Sequence, residues 1–406
     1  MIQQFCLENG LRVVWEQSHA HTVYAGILVG AGTRHEHDDE SGMAHLVEHM
    51  SFKGTRRRTA TQVINRIEAV GGELNAYTGK EETVYYAACL PQHLDRTIDL
   101  LQDIVFNSTY PEAELRREVE VVYDEIESYE DSPSELIFDD FEAQLFPGHP
   151  LGRNILGRAE SLRQYTSADL HRFANRYYHP KNAILFVLGG EIGQIGHMSP
   201  MSTMSPMSPM SPMSPMSPMS PMSPMSPVII HRDTHQAHVI IGARCFALSD
   251  PRHIALTLIS NLLGGPSMNS RLNMSLRERR GLVYTVESSI SAYADTGVWT
   301  TYLGCDREDV RRCLRLVGNE LKRLTTTPLT ARQLAAAKLQ LCGQLSIAHD
   351  NLENRAIGMA KRLYLTGHVP TLEELCAEIN ALTPEDILTT ARTVLAQENL
   401  STLIYD

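Results

Sequence analysis

The sequence reads as an α+β protein of two similarly planned domains, each a mainly antiparallel sheet packed against helices. Three observations predict this. At 406 residues the chain is too long for one ordinary core, and two domains of about 200 residues are expected. The first 190 residues mix strand-like runs with helical periodicity, and residues 228–406 repeat that plan. Between them, His197–Pro227 is almost a pure Met-Ser-Pro repeat, holding ten of the sixteen methionines and nine of the twenty prolines. A proline at every third residue forbids helix and sheet alike, so a polyproline-II-like or unstructured spacer is expected. Thioethers also suit Cu(I), but a spacer is the commoner cause of such composition. The expected boundaries are 1–193, a linker at 194–227, and 228–406.

Asn9-Gly10 marks a hairpin between Gln3–Leu7 and Leu11–Glu16, and Thr22–Ala31 is a β-branched and apolar run. A helix around His45 follows, then one over Ala60–Val70 ended by Gly71-Gly72. Strands Glu73–Thr78 and Thr83–Leu90 come next, with Gly79-Lys80 in the turn. Helices are expected over Pro91–Asn107, Pro111–Tyr129, Ser134–Leu145 and Ala168–Tyr178, and Asn182–Leu188 closes the domain as a strand. In the second half, strand Ala237–Phe246 precedes helices Pro251–Leu263 and Met268–Arg279, then a hairpin of Val283–Tyr293 and Gly297–Gly304. Helices Arg307–Leu324, Ala331–Ile347, Leu352–Leu365, Leu372–Leu382 and Pro384–Leu395 lead to a last strand, Ser401–Tyr405.

Chemistry concentrates in His45-Leu-Val-Glu48-His49. Residues four apart stack on one helix face, so both imidazoles can converge on one metal ion. Glu48 is close enough to hold a water as general base, the arrangement peptide-bond hydrolysis requires. Ser41 is the expected cap of this helix and Gly54 its stop. A catalytic zinc needs a third protein ligand and an open position. On the Pro111–Tyr129 helix, Leu115, Val119, Val122 and Ile126 make an apolar stripe, and Glu114, Glu118 and Glu125 share its edge. A carboxylate at a core boundary is costly unless a cation meets it. Periodicity leaves all three open.

His45-Leu-Val-Glu48-His49, followed some eighty residues later by Arg117-Glu118-Val-Glu-Val-Val-Tyr-Asp-Glu125, resembles the inverzincin peptidases: pitrilysin, insulysin and the mitochondrial processing peptidase. The resemblance continues through Gly71-Gly-Glu-Leu-Asn75-Ala76-Tyr77-Thr78, Ser270-Arg-Leu272 and Leu276-Arg277-Glu-Arg-Arg-Gly-Leu-Val-Tyr284. It implies a zinc endopeptidase with one zinc per chain, held by His45, His49 and Glu125, with Glu48 as base and Glu118 as a supporting carboxylate. It further implies that Asn75, Ala76 and Tyr77 pair with substrate backbone, and that Arg277 and Tyr284 contact the substrate and the reacting carbonyl. Half-length members enclose their substrates by pairing two chains, so a homodimer is expected, or a heterodimer, each chain forming half of a clamshell chamber. The alternative is a catalytically silent peptide-binding or partner subunit.

A net charge of −12 makes nucleic acid an improbable partner. Seven scattered cysteines without a CxxC suggest reduced thiols and a cytoplasmic protein. No apolar run approaches membrane-spanning length, and Met1–Gly10 lacks the regions of a signal peptide. His35 and His37, in a polar loop, are expected to be solvated, and His93, His149, His179 and His349 to be surface or capping residues.

Overall fold

A computed structural model of the chain describes residues 2–190, 200–203, 227–232 and 234–406. It has two compact units: Met1–Ser128 with Gly148–Met210 and His349–Val369, and Tyr129–Pro147 with Ser211–Ala348 and Pro370–Asp406.

In the first unit, β1 (Ile2–Leu7) and β2 (Arg12–Glu16) form the expected hairpin, turning where Gly10 takes φ +88°, a region glycine enters without steric cost. With β3 (Val23–Val29), β4 (Glu73–Thr78), β5 (Thr83–Cys89), β6 (Ala183–Leu188) and β7 (Pro200–Thr203) they form a sheet in the order β4-β5-β3-β6-β2-β1-β7. Its pairs are antiparallel except β2 beside β6. Strand β7 corrects part of the expectation for the Met-Ser-Pro segment. Pro200 is the first residue of an edge strand, where a missing N–H is tolerated, and Thr203 stands where the repeat would place its next proline. The remainder of 197–226 lies outside the described residues.

The two faces of this sheet obey the period-two rule. Val13, Trp15, Ile27, Tyr85, Leu185 and Val187 join one core with α1 (Met43–Ser51), α2 (Ala60–Glu68), α3 (Leu94–Phe106), α4 (Glu112–Glu130) and the helix Ser167–Tyr177. Val14, Leu28, Val84, Ile184 and Phe186 point the other way, onto Ala356, Met359, Ala360 and Leu363 of the helix Leu352–Thr366. Polar contacts fix that helix on its sheet: Arg355 Nε donates to Glu16 Oε2 at 2.9 Å, and Lys361 Nζ meets Glu82 Oε1 at 2.6 Å.

The second unit repeats the plan with β8 (Val228–Ile230), β9 (Ala237–Cys245), β10 (Val283–Ala292), β11 (Gly297–Cys305) and β12 (Ser401–Tyr405), in the order β10-β11-β9-β12-β8. Only the β12–β8 pair is parallel. One face packs on the helices His253–Gly264, Val310–Thr326, Ala331–Ala348 and Pro384–Leu395. The helix expected over Met268–Arg279 is shorter, a π-helical stretch at Asn273–Glu278.

Packing departs from the boundaries 1–193 and 228–406. The helix α5 (Pro133–Leu145) belongs to the second unit, with Phe141 against Gly242 of β9, and Leu352–Thr366 belongs to the first. Each amphipathic helix has a face that must be buried, but its periodicity does not say against which sheet. No helix among the described residues is long and apolar enough to cross a membrane.

Candidate metal centre

Helix α1 brings His45, Glu48 and His49 onto one side, and all but the last are buried. Its cap is not Ser41. The N-cap residue is Gly42, at φ +82° and without a capping side chain. Glu36 takes over, its Oε2 accepting from Gly42 N at 3.2 Å and its Oε1 from Ala44 N at 3.0 Å. The helix stops at Ser51, with Phe52 as C-cap, and Gly54 follows in the turn at φ +133°.

Helix α4 supplies the carboxylates. Glu125 Oε2 lies 3.7 Å from His45 Nε2 and 3.4 Å from His49 Nε2, and the two Nε2 atoms are 3.2 Å apart. Zinc bonds of about 2.0–2.2 Å in tetrahedral array imply ligand–ligand edges of about 3.3–3.6 Å, so the donor types and spacings suit zinc. Among the described residues this is the one group of three His, Cys, Asp or Glu side chains arranged to hold a metal. Glu125 keeps 43% of its side chain exposed, leaving the group open on that side.

Glu118, seven residues earlier, does not join the group. His49 Nδ1 donates to its Oε1 at 3.0 Å, and Lys53 Nζ sits 2.6 Å from its Oε2. With the Nδ1 proton held by Glu118, the Nε2 lone pair of His49 is left for a metal. His45 lacks such support: its Nδ1 is buried without a hydrogen-bond partner. Glu114 instead pairs with Arg117. Periodicity could not separate the three; their partners do.

Electrostatics follow from burial and these contacts. Burial, then the neighbouring His49, pushes His45 down to about 3, so it is neutral at ordinary pH. Burial also opposes charge on His49, but the Glu118 bond and the charges of Glu125 and Glu48 outweigh it and raise its pKa. Glu48 is raised by burial, against the opposing bond from Thr78, whose Oγ1 donates to Glu48 Oε2 at 2.8 Å. Burial opposes charge on Glu118 too, yet His49 and Lys53 together hold it below the usual carboxylate range. Thr78 and Lys53 were not singled out by sequence. Lys53 lies just past the end of α1, four residues after His49.

Asn75, Ala76 and Tyr77 lie on β4, the edge of the first sheet, paired with Tyr86, Tyr85 and Val84 of β5 alone. Arg277 and Tyr284 lie in the second unit, both exposed, with the Tyr284 hydroxyl donating to Asp306 at 2.9 Å. Neither belongs to the metal group. The expectation for His35 is overturned: it is buried, its Nδ1 accepting from Gly32 N at 3.2 Å, and burial with Arg34 nearby pushes it to about 4. His37 is exposed as expected, and His149 caps a turn by accepting from Leu151 N.

Comparison with known proteins places these features. Residues 12–159 match the family model "Insulinase (Peptidase family M16)" and residues 164–341 match "Peptidase M16 inactive domain". A zinc protease of Bacillus subtilis, YmxG, is 31% identical over 100% of this chain and 98% of its own length. The beta subunit of the mitochondrial-processing peptidase of Mus musculus is 32% identical over 95% of this chain and 80% of its own. A protease from Helicobacter pylori has the same fold, with a TM-score of 0.87 at 21% identity, covering 100% of this chain and 99% of that one.

Proposed function

The chain belongs to the insulinase family, peptidase family M16, and from that premise we propose that it is a zinc-dependent endopeptidase acting on extended peptides. The observation that carries this reading is the spacing of His45 Nε2, His49 Nε2 and Glu125 Oε2, with Glu48 on the same helix face. Zinc bound there would supply a Lewis acid that activates water and polarises a carbonyl. The protein's own groups do the rest. Glu48 is the general base: Thr78 fixes its Oε2, and Oε1 remains to take a proton. Burial raises its pKa, making it a stronger base than an exposed carboxylate. Glu118 orients His49 and keeps its Nδ1 protonated.

The free edge of β4 is suited to take a substrate as an added strand, since main-chain pairing reads extended shape rather than sequence. Short or unfolded peptides should therefore be cut and compact proteins spared. Peptide cleavage that a chelator abolishes and zinc restores tests the activity. Efficient cleavage of a stably folded protein with no exposed strand would count against strand addition. A silent partner subunit is the competing reading, and the complete donor set argues against it. The seven free thiols favour a reducing, cytoplasmic setting.

We further propose that the working particle is a dimer, with Arg277 and Tyr284 serving the partner's metal centre by holding substrate and stabilising the developing oxyanion. Chains carrying Glu48→Gln and Tyr284→Phe, each weak alone, should regain activity on mixing, because one site of the mixed dimer keeps both residues. The check is peptide turnover after subunit exchange has been proven by mass; no recovery would place the pair in cis or outside catalysis.

A further inference from the structure

Helix α1 cannot cap itself. At Gly42 an added Cβ would meet Leu156 O at 2.7 Å and Gly157 Cα at 3.0 Å, and a Cβ on Gly157 would come 2.4 Å from Gly42 Cα. Two backbones thus touch where a capping side chain would stand, and φ +82° independently selects glycine. The first amides of α1 must find their acceptor elsewhere.

They find it six residues upstream. Glu36 is buried, 4% exposed, and spends both carboxylate oxygens on α1, one on Gly42 N and one on Ala44 N. Ala44 immediately precedes His45. The loop that carries Glu36 is anchored at several points. The Arg153 guanidinium donates to Glu36 O and Asp38, Tyr177 O–H to His35 O at 2.8 Å, and Tyr165 O–H to Ser41 O at 3.0 Å. The same loop is tied to the turn that ends β4, through Thr33 N to Gly79 O at 3.3 Å and Arg34 N to Lys80 O at 2.8 Å. Lys80 Nζ in turn donates to Arg153 O.

From this we infer that Glu36 is a positioning residue of the metal centre: as a remote cap it fixes the first turn of α1, and with it the aim of His45 Nε2. His45 needs such help more than His49, which Glu118 already orients, because no group of the described residues holds the His45 ring by its Nδ1.

The inference rests on His45, His49 and Glu125 binding a metal, and the test separates the two claims. Co2+ is titrated into the metal-free protein and into Glu36→Gln and Glu36→Ala, reading the visible absorption of the bound ion and its dissociation constant, with circular dichroism confirming that each is folded. Glu36→Ala should bind Co2+ about tenfold or more weakly with altered absorption, as loss of a group supporting a metal ligand typically does. Glu36→Gln keeps one acceptor but turns an N–H2 toward the other amide, so a smaller loss is expected, and Glu36→Gln serves alone where Glu36→Ala does not fold. Hydrogen exchange of the Gly42 and Ala44 amides, measured without metal, should speed up at both in Glu36→Ala and at one of the two in Glu36→Gln. Unchanged Co2+ affinity and absorption in folded variants overturns the role of Glu36. No Co2+ binding by the unaltered protein overturns the metal centre itself.

Discussion

Glu48→Gln is expected to retain its metal and lose essentially all peptide hydrolysis. The substitution preserves side-chain volume, and the amide oxygen can still accept the 2.8 Å hydrogen bond from Thr78 Oγ1. It removes the one property the reaction needs at that point, a basic oxygen, and a positioned base contributes about 10²–10⁴-fold. His45, His49 and Glu125 keep their mutual spacing because none of them bonds to Glu48. Zinc content by elemental analysis and turnover of an unstructured peptide check the two halves separately. Near-normal turnover would remove Glu48 from the role of base, and a metal-free variant would make it a ligand.

The placement of Glu48 beside His45 and His49 was legible in the sequence because it depends on a single helix. Positions i, i+3 and i+4 face the same way once α1 forms, whatever the rest of the chain does. The cap of that helix was not legible. Ser41 has the chemistry of an N-cap, but a cap also needs a backbone in position, and contact between Gly42 and Gly157 prevents it. Glu36 does the work from a loop whose composition suggested only solvent, and His35 beside it is buried for the same reason: three-dimensional anchors from Arg153, Tyr165 and Tyr177 pull the loop in. Nothing local encodes such anchors.

The same limit explains the two helices that crossed the expected boundaries. The apolar spacing of Ile137, Phe141 and Leu145, and of Ala356, Met359, Ala360 and Leu363, announces a buried face in each helix. Which sheet covers it is decided by chain topology. Sheet order and the covering of both faces of the first sheet therefore belong to tertiary structure, whereas strand pairing at Asn9-Gly10 and the final strand Ser401–Tyr405 are local and were placed closely.

Glu125→Gln should strip the metal centre far more completely than Glu118→Gln. The two carboxylates are seven residues apart on α4, about 10 Å along the axis, so they approach His49 at different atoms. Glu125 stands at the Nε2 side, 3.4 Å from His49 Nε2 and 3.7 Å from His45 Nε2, where a metal shared by the two Nε2 atoms would sit. Glu118 stands at Nδ1, sharing its charge between His49 and Lys53. Removing charge from Glu125 replaces the only anionic donor by a weak, neutral amide oxygen beside two neutral imidazoles, a set that holds a divalent ion poorly. Removing it from Glu118 leaves all three donors, and the amide oxygen of Gln can still accept from Nδ1. The loss there should stay within the 10–100-fold typical of groups that orient a ligand. Zinc retained after dialysis against a chelator of graded strength ranks the two variants. Equal retention would mean that Glu118 and Glu125 share the metal, and that the group of His45, His49 and Glu125 is drawn wrongly.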